Sequence, residues 1–214
     1  MAVEQYQEIF DAVTGGDIEG AKKLAERVIE KGEDPLDAIQ QGYVPAIREM
    51  GARYQREEIF LPQMMAAAEA MKSSLELLDP EVKKRGEARE TSGLIVIGTV
   101  ENDIHDIGKN MVASLFSASG FQVEDLGVDV SCQDFIDCVQ EKEADVLALS
   151  ALLTTTMPEQ RKVVETVSEE SLKTKVLVGG APVSREWAEE IGAHGFAEDA
   201  ISAVALVKEM LDIN

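Results

Sequence analysis

One short segment concentrates the residues that could do chemistry. Residues 100–110 read V-E-N-D-I-H-D-I-G-K-N and hold three carboxylates, Glu101, Asp103 and Asp106, together with His105, one of only two histidines in the chain. A histidine can bind a metal through one ring nitrogen while its other N–H donates to a carboxylate, which fixes the tautomer. Asp103 is the candidate partner. A surface histidine, with acidic residues favoured by a helix dipole, fits the same residue types, so both interpretations stay open at this point.

The elements on either side predict where this segment lies. The apolar run Leu94–Thr99 before it is typical of a buried strand, and Ile107–Ala118 after it has helical periodicity. In open α/β sheets, ligands bind at the loops that follow the carboxyl ends of strands. We therefore expect His105 at such an edge.

From Gly93 onward, strands and helices alternate. We predict strands at 94–99, 122–125, 146–150 and 176–179 and a short one near Phe196, with helices at 107–118, 132–142, 158–170, 185–191 and 199–211. Five parallel strands with right-handed crossovers favour the flavodoxin-like order 2-1-3-4-5. This order brings the loop after the first strand beside the loop after the third, Ser150–Thr156.

The N-terminal half has helical patterns and no strand signal. Helices are predicted at 3–13, 18–31, from Pro35 to about Arg56, and at 61–78, with Pro45 expected to kink or divide the third. Residues 79–92 read as an exposed linker. The predicted fold class is α/β: a helical bundle cap domain with its linker (1–90), then a Rossmann-like five-stranded parallel sheet domain (91–214).

Composition narrows the possible partners. A net charge of −21 makes nucleic-acid and anionic membrane partners improbable, and the first residues lack the basic and apolar regions of a signal peptide. We expect a cytoplasmic protein. Cys132 and Cys138 are six residues apart, which predicts reduced structural thiols and not a zinc or disulfide motif.

Three motifs resemble a known family. Asp103–Gly108 fits D-x-H-x-x-G, Ser150-Ala151-Leu152 fits S-x-L, and Gly179-Gly180 fits a third element, in the order and spacing of cobalamin-binding domains that hold the cofactor base-off. The N-terminal half is similar to the helical cap that precedes this domain in corrinoid methyltransferases. The resemblance covers nearly the whole chain and is nearest to the small methyl-carrier corrinoid proteins, related to the cobalamin domains of methionine synthase.

The resemblance implies a cobalt site around His105. His105 is then the lower axial ligand of a corrinoid cobalt, Asp103 accepts its second N–H, and Thr156 extends this relay. Thr156 also fits a helix N-cap, and both roles could coexist. Asp106 and Gly108 belong to the same motif.

The resemblance also implies which other residues contact the cofactor. The channel for the displaced nucleotide tail would be lined by Ser150, Leu152, Thr154, Gly179, Gly180 and Ala181. The apolar residues Tyr54, Leu61 and Met64 would lie over the upper corrin face. No catalytic residue of the chain's own is implied. The sequence departs from the family at Asn102, where relatives have glycine, and His194 is read as exposed and not a ligand.

The function implied is that of a methyl carrier in one-carbon metabolism. It would accept a methyl group on cobalt(I), giving a methylcobalamin-type cofactor, from a substrate:corrinoid methyltransferase. A second methyltransferase would pass the group to coenzyme M or tetrahydrofolate, and a reductive activase would restore cobalt. A mutase subunit and a corrinoid-sensing regulator are the alternatives. The cap-like helices argue against the first, and the lack of a basic recognition helix argues against the second. The methyl donor and the lower base of the corrinoid stay open.

Overall fold

The structure is a computed structural model that describes residues 2–86 and 91–213. The chain divides into two compact units, Met1–Thr91 with Ser117–Gly120, and Ser92–Phe116 with Phe121–Asn214. The boundary predicted from the sequence fell between residues 90 and 91. In the part of the chain that the structure describes, no helix is long and apolar enough to cross a membrane.

The first unit is built from helices. They are α1 (Ala2–Thr14), α2 (Ile18–Glu30), α3 (Pro35–Ala38), a π-helical turn (Ile39–Tyr43), α4 (Val44–Gln55) and α5 (Leu61–Lys84). Local signals fix their starts: the Asp17 carboxylate accepts the Gly20 N–H at 2.9 Å, and Asp34 caps α3 in the same way. The buried side chains of this unit include Ile9, Val28 and Leu78.

The predicted disruption at Pro45 takes the form of the π turn. The Val44 N–H donates to the Ile39 carbonyl five residues back, immediately before the proline. Proline has no N–H for the usual bond four residues back, and the wider turn lets the backbone pass it without ending the helical path.

The predicted linker is wrong over its first part. Helix α5 does not end at Leu78 but continues to Lys84, with Pro80 inside it. Leu78 and Val82, one helical turn apart, are 0% and 2% exposed, so burial of this face holds the helix together across the proline. The sequence predicts an exposed linker here because local sequence signals cannot register that burial. Residues 87–90 of the predicted linker lie outside the described residues.

The second unit is a parallel sheet in the order β2-β1-β3-β4-β5, as predicted. The strands are β1 (Leu94–Thr99), β2 (Gln122–Asp125), β3 (Val146–Ser150), β4 (Lys175–Gly179) and β5 (Gly195–Phe196). The helices are α6 (Ile107–Ala118), α7 (Cys132–Lys142), α8 (Met157–Glu169), α9 (Arg185–Ile191) and α10 (Ala200–Met210). Each predicted element is present, with ends that differ by at most one or two residues.

Alternation along the strands decides which side chains face which helices. On one face, Val96, Leu147 and Val176 belong to an apolar cluster with residues of α7, α8 and α9. On the other face, strand register places Ile97 beside Ala148 and Ala148 beside Leu177. The next row on that face, closer to the carboxyl edge, is Thr99, Ser150 and Gly179.

Candidate cofactor site

The loop that carries His105 is held from two sides. The Thr99 hydroxyl donates to the His105 carbonyl at 2.9 Å, and the Asn102 N–H donates to the Asp129 carboxylate at 2.7 Å. Asn102 has φ +65°, a left-handed conformation that glycine adopts freely and asparagine tolerates better than most residues. This explains physically how asparagine can stand where relatives have glycine.

Asp103 is the hub of the site. Its side chain is 0% exposed and accepts the Leu152 N–H at 2.8 Å, the His105 N–H at 3.1 Å and the Thr156 hydroxyl at 2.8 Å. Burial raises the pKa of the Asp103 carboxyl, but these bonds and the one to the His105 ring more than offset burial and lower the pKa to about 2. Asp103 is therefore an ionised, acceptor-only group at neutral pH.

This charge state fixes the tautomer of His105. Nδ1 of the ring lies 2.7 Å from Oδ1 of Asp103, and because an ionised carboxylate can only accept, Nδ1 carries the proton. Nε2 then keeps its lone pair. The His105 side chain is 47% exposed, so Nε2 can reach a ligand outside the loop. The pair has the composition of a metal-binding imidazole supported by a carboxylate.

The structure distinguishes the two roles that the sequence allowed for Thr156, a helix N-cap and a partner of Asp103. It occupies the N-cap position of α8, yet its side chain makes no capping hydrogen bond. Its buried hydroxyl lies 2.8 Å from Oδ2 of Asp103 and 2.9 Å from the Leu153 carbonyl, and its single hydrogen is shared between these acceptors. The loops after β1 and β3 are thus joined through Asp103.

A cavity of about 900 Å³ opens beside His105. It is lined by the strand face that carries Ile97, Ala148 and Leu177 and by parts of α6 and α10. Of the predicted site residues, those that line it are His105, Asp106, Gly108, Ser150, Leu152, Gly179, Gly180 and Ala181. Asp103 and Thr156 do not line the cavity, and Asp103 contacts the His105 ring.

Some predicted residues stand apart from this cavity. Thr154 is exposed and does not line it. Tyr54, Leu61 and Met64 belong to the helical unit: Tyr54 is in the last turn of α4, Leu61 begins α5, and Met64 is fully buried. His194 is exposed as predicted, and its Nδ1 accepts the Val176 N–H at 3.0 Å.

Gly180 and Gly108 are glycines for different physical reasons. A Cβ on Gly180, which has φ +127°, would lie 1.8 Å from the Ala151 carbonyl oxygen, so contact between the β3 and β4 loops requires glycine there. Packing within the protein therefore accounts for glycine at position 180 independently of the predicted channel for the nucleotide tail. Gly108 is the opposite case, because a Cβ there would have no heavy atom within 4 Å. It leaves open space in the cavity wall.

Sequence reasoning missed two buried polar side chains near the site. Nε2 of Gln160 donates to the Leu149 carbonyl at 3.0 Å and to the Gly179 carbonyl at 3.1 Å, which ties together the carboxyl ends of β3 and β4. Nζ of Lys109 lies 2.6 Å from both carboxylate oxygens of Asp125. In the sequence, a buried polar residue of an amphipathic helix cannot be told from a surface residue. Only Lys109 could have been suspected of lying near the site, because it follows Gly108 of the first motif.

It also missed the exposed apolar residues around the imidazole. Ile104 is 75% exposed, Ile107 is 81% exposed, and both line the cavity with His105. Exposed isoleucines on either side of a candidate ligand are suited to a large apolar partner that covers them. The signal was present in the motif, where each isoleucine lies next to charged residues.

Comparison with known proteins decides the family. Two family models, each described as a B12 binding domain, match residues 93–205 and residues 5–79. The chain belongs to the B12-binding corrinoid protein family. The resemblance seen in the three motifs and the helical half is thereby confirmed, and the cofactor is cobalamin or a related corrinoid.

Relatives resemble this corrinoid protein over nearly its whole length. A corrinoid protein of Desulfitobacterium hafniense is 43% identical over 214 residues, covering 99% of each chain. Trimethylamine corrinoid protein 2 of Methanosarcina mazei is 42% identical over 205 residues, covering 95% of this chain and 94% of the relative. The solved methanol:cobalamin methyltransferase complex of Methanosarcina barkeri matches with TM-score 0.85 and 30% identity, covering 98% of this chain and 80% of that chain.

The residues of the corrinoid protein fit the cofactor. Nε2 of His105 keeps its lone pair because the bond to Asp103 uses Nδ1, so this nitrogen would hold cobalt. The flat macrocycle needs an apolar seat, which Ile104, Ile107 and the half-exposed Leu152 offer. The nucleotide tail needs a deep cleft beside the imidazole, and the cavity next to His105 has the size of a small-molecule site.

Proposed function

We propose that the protein is the methyl carrier of a methyltransferase system, accepting a methyl group from a substrate:corrinoid methyltransferase and yielding it to a second methyltransferase. The observation that supports this most is the His105–Asp103–Thr156 relay at the edge of a deep cavity. Relatives named trimethylamine and dimethylamine corrinoid proteins, 40–42% identical, support the same class of system.

The chain's part in the reaction is to hold the cofactor and manage one proton. The corrinoid supplies the chemistry when bound, since its cobalt carries the methyl group between the two enzymes. His105 would hold cobalt through Nε2, and the Asp103 carboxylate strengthens that nitrogen as a base by accepting the hydrogen bond from the Nδ1–H. When the ligand bond is not made, Nε2 can take a proton, and Asp103 stabilises the resulting imidazolium.

The cavity-lining residues have a separate role in this proposal. Ser150 and the Gly179–Gly180 turn line the cavity between α6 and α10 and would hold the nucleotide tail there. Gly108 contributes open space at the wall. Thr154 stays a prediction for this channel. Tyr54, Leu61 and Met64 of the helical unit stay predicted to shield the upper face, from which they would have to withdraw for a partner enzyme.

The partners follow from the chemistry of the relatives. The donors that we propose are small methylated amines or methanol, since related corrinoid proteins carry the names of trimethylamine and dimethylamine, and a similar solved complex is a methanol:cobalamin methyltransferase. The final acceptor is coenzyme M or tetrahydrofolate, and a reductive activase returns oxidised cobalt to the cycle. Assays that pair the purified protein with candidate donor methyltransferases would identify the substrate by methyl transfer.

The decisive test concerns the nitrogen that binds cobalt. The protein, labelled with ¹⁵N only at histidine, is reconstituted with reduced, paramagnetic cobalamin and examined by electron paramagnetic resonance. Coordination by His105 predicts a two-line splitting from one ¹⁵N nucleus, where unlabelled protein gives three lines. The His105→Ala variant should lose this signal.

His194→Ala is the matched control, because His194 is the other histidine and lies outside the cavity lining. It should keep the ¹⁵N splitting of the parent. If the labelled parent kept the three-line pattern of the benzimidazole nitrogen, or if His105→Ala coordinated as the parent does, the assignment of the ligand would be wrong.

A further inference from the structure

We propose that the cavity selects corrinoids by the base at the end of the nucleotide tail, favouring benzimidazole or phenol bases over purines. Natural corrinoids differ in this base, and the three classes differ in how many hydrogen-bonding groups they carry. The inference rests on the proposed function, since it assumes that the tail enters the cavity beside His105. It concerns the residues at the inner end of that cavity.

The inner end is a row of apolar side chains on three neighbouring strands. Ile97 of β1, Ala148 of β3 and Leu177 of β4 are register partners on the same sheet face, and each lines the cavity. All three are 4% exposed or less. Ala148, the smallest, lies between the two larger residues, so the row is deepest at its centre. A flat ring can lie there against hydrocarbon.

Among the described residues, the walls that α6 and α10 form next to this row are mostly apolar. Ala200 and Ala203 of α10 are buried and line one part, while Met111 and Val112 of α6 line another. The exception is the buried Lys109. Its Nζ contacts both carboxylate oxygens of Asp125 and the Asn110 side-chain oxygen, at 2.6–2.7 Å, so its three hydrogens already have acceptors.

The polar groups of the cavity lie closer to its opening. The next row toward the carboxyl edge contains Ser150, which lines the cavity, and Thr99, which does not line it and whose hydroxyl donates to the His105 carbonyl. Of the remaining polar lining residues, Arg185 and Glu198 are exposed, and the half-buried Ser184 accepts the Trp187 N–H through its hydroxyl. The cavity thus passes from polar at the opening to apolar inside. A ribose and phosphate suit the outer part, and the base suits the inner part.

This gradient discriminates between bases. A purine such as adenine carries ring nitrogens and an exocyclic amine that water satisfies outside the cavity, and the apolar row provides no partner for them. A buried group without a partner loses affinity, whereas benzimidazole and phenol rings present few such groups. We expect the adenine analogue of cobalamin to bind at least about tenfold more weakly than cobalamin itself.

The test is a binding competition that does not depend on methyl transfer. The full-length apoprotein is equilibrated by dialysis with cobalamin, its adenine analogue, a phenol-based analogue, and cobinamide, which lacks the nucleotide. The expected order of affinity is cobalamin and the phenol analogue first and the adenine analogue at least about tenfold weaker. Equal or tighter binding of the adenine analogue would overturn the selectivity.

The cobinamide arm separates this inference from the proposed function. If no corrinoid binds, or if binding does not involve His105, the proposed function fails. If the three complete corrinoids bind equally well with His105 on cobalt, the function stands and the selectivity alone is wrong. Cobinamide binding as tightly as cobalamin would also overturn the selectivity, since the tail would then contribute nothing.

A pair of variants tests the row itself. Ala148→Ser places a hydroxyl among Ile97 and Leu177, where it can pair with a purine, so the preference for cobalamin over the adenine analogue should shrink several-fold. Ala144→Ser is the control, because Ala144 is also 4% exposed but does not line the cavity. It should keep the parent's ratio. A ratio that Ala148→Ser leaves unchanged would show that the base does not reach this row.

Discussion

Thr156 donates its hydroxyl to Asp103, 53 residues earlier in the chain, across 2.8 Å. The bond joins the loop after β3 to the loop after β1, and both partners are buried. Asp103 in turn holds Nδ1 of His105 at 2.7 Å. Thr156, which the sequence places at the start of a helix, therefore supports the His105 imidazole indirectly, through the Asp103 carboxylate.

The first prediction removes this hydroxyl. Thr156→Val keeps the shape of the side chain but takes one hydrogen bond from a buried, ionised carboxylate, so the free energy of unfolding should fall by about 1.5–3 kcal/mol. The pKa of Asp103 should rise, because one of the bonds that lower it is gone. Urea unfolding, followed by the fluorescence of Trp187, the single tryptophan, measures the stability.

Thr155→Val is the control for that experiment. Thr155 is exposed and adjacent, so its substitution should change the free energy of unfolding by less than about 0.5 kcal/mol. An equal effect of the two substitutions would mean that the bond to Asp103 contributes nothing measurable.

The second prediction concerns the left-handed residue of the loop. Asn102 has φ +65°, so Asn102→Gly should leave the stability within about 1 kcal/mol of the parent, since relief of strain offsets the greater freedom of glycine in the unfolded chain. Asn102→Val should cost about 2 kcal/mol, because a β-branched side chain is strained there. Chemical unfolding of the two variants side by side tests the difference, and a valine variant as stable as the glycine variant would contradict it.

The third prediction separates two glycines of the cavity lining. Gly180→Ala places a Cβ 1.8 Å from a carbonyl oxygen at φ +127°, so it should destabilise the apoprotein by about 3 kcal/mol or more. Gly108→Ala meets open space near the start of α6 and should stabilise the apoprotein by up to about 1 kcal/mol, because alanine favours a helix.

The same substitution at Gly108 should weaken corrinoid binding although it stabilises the apoprotein. Its new methyl group projects into the cavity wall, so Gly108→Ala should bind cobalamin more weakly while melting at or above the temperature of the parent. Thermal unfolding of the apoprotein and equilibrium dialysis give the two readouts. Tight binding by Gly108→Ala would show that the cofactor does not approach this glycine.

The fourth prediction is a pH dependence at His194. The residue as a whole is exposed, but partial burial of its ring lowers the pKa of this imidazole below its ordinary value, with a smaller contribution from Lys175, and Nδ1 accepts the Val176 N–H. Below about pH 6.5 the unfolded chain binds a proton that the folded ring resists, so the stability from this group is complete above that pH and is lost as the pH falls through the folded pKa.

Substitution of that ring should remove its share of the pH dependence. His194→Asn can still accept the Val176 N–H but does not titrate, so its free energy of unfolding should decline less than the parent's between pH 7.5 and 5.5. Urea unfolding at several pH values in one buffer series makes the comparison. Identical slopes for parent and variant would show that His194 does not titrate differently in the folded state.

Much of the architecture could be predicted from local pattern. The apolar runs around residues 94–97 and 146–149 marked strands buried on both faces, and the rules of chain crossover then gave the strand order that the sheet has. The exception was the end of α5, where the sequence predicts an exposed linker and the burial of Val82 maintains a helix. Local signals fail where a distant surface covers the chain.

The candidate site could likewise be predicted in part from local sequence, and the rest depended on the tertiary structure. The sequence by itself determined the candidate ligand, the carboxylate two residues before it and the resemblance to cobalamin-binding domains, because these depend on residue types at short, fixed spacing. Only the tertiary structure decided that the Thr156 hydroxyl bonds to Asp103 and does not cap α8, that Gly180 is required by the Ala151 backbone, and that the inner end of the cavity is apolar. Each of these depends on which strands are neighbours and in which register, and such contacts join residues that no local spacing relates.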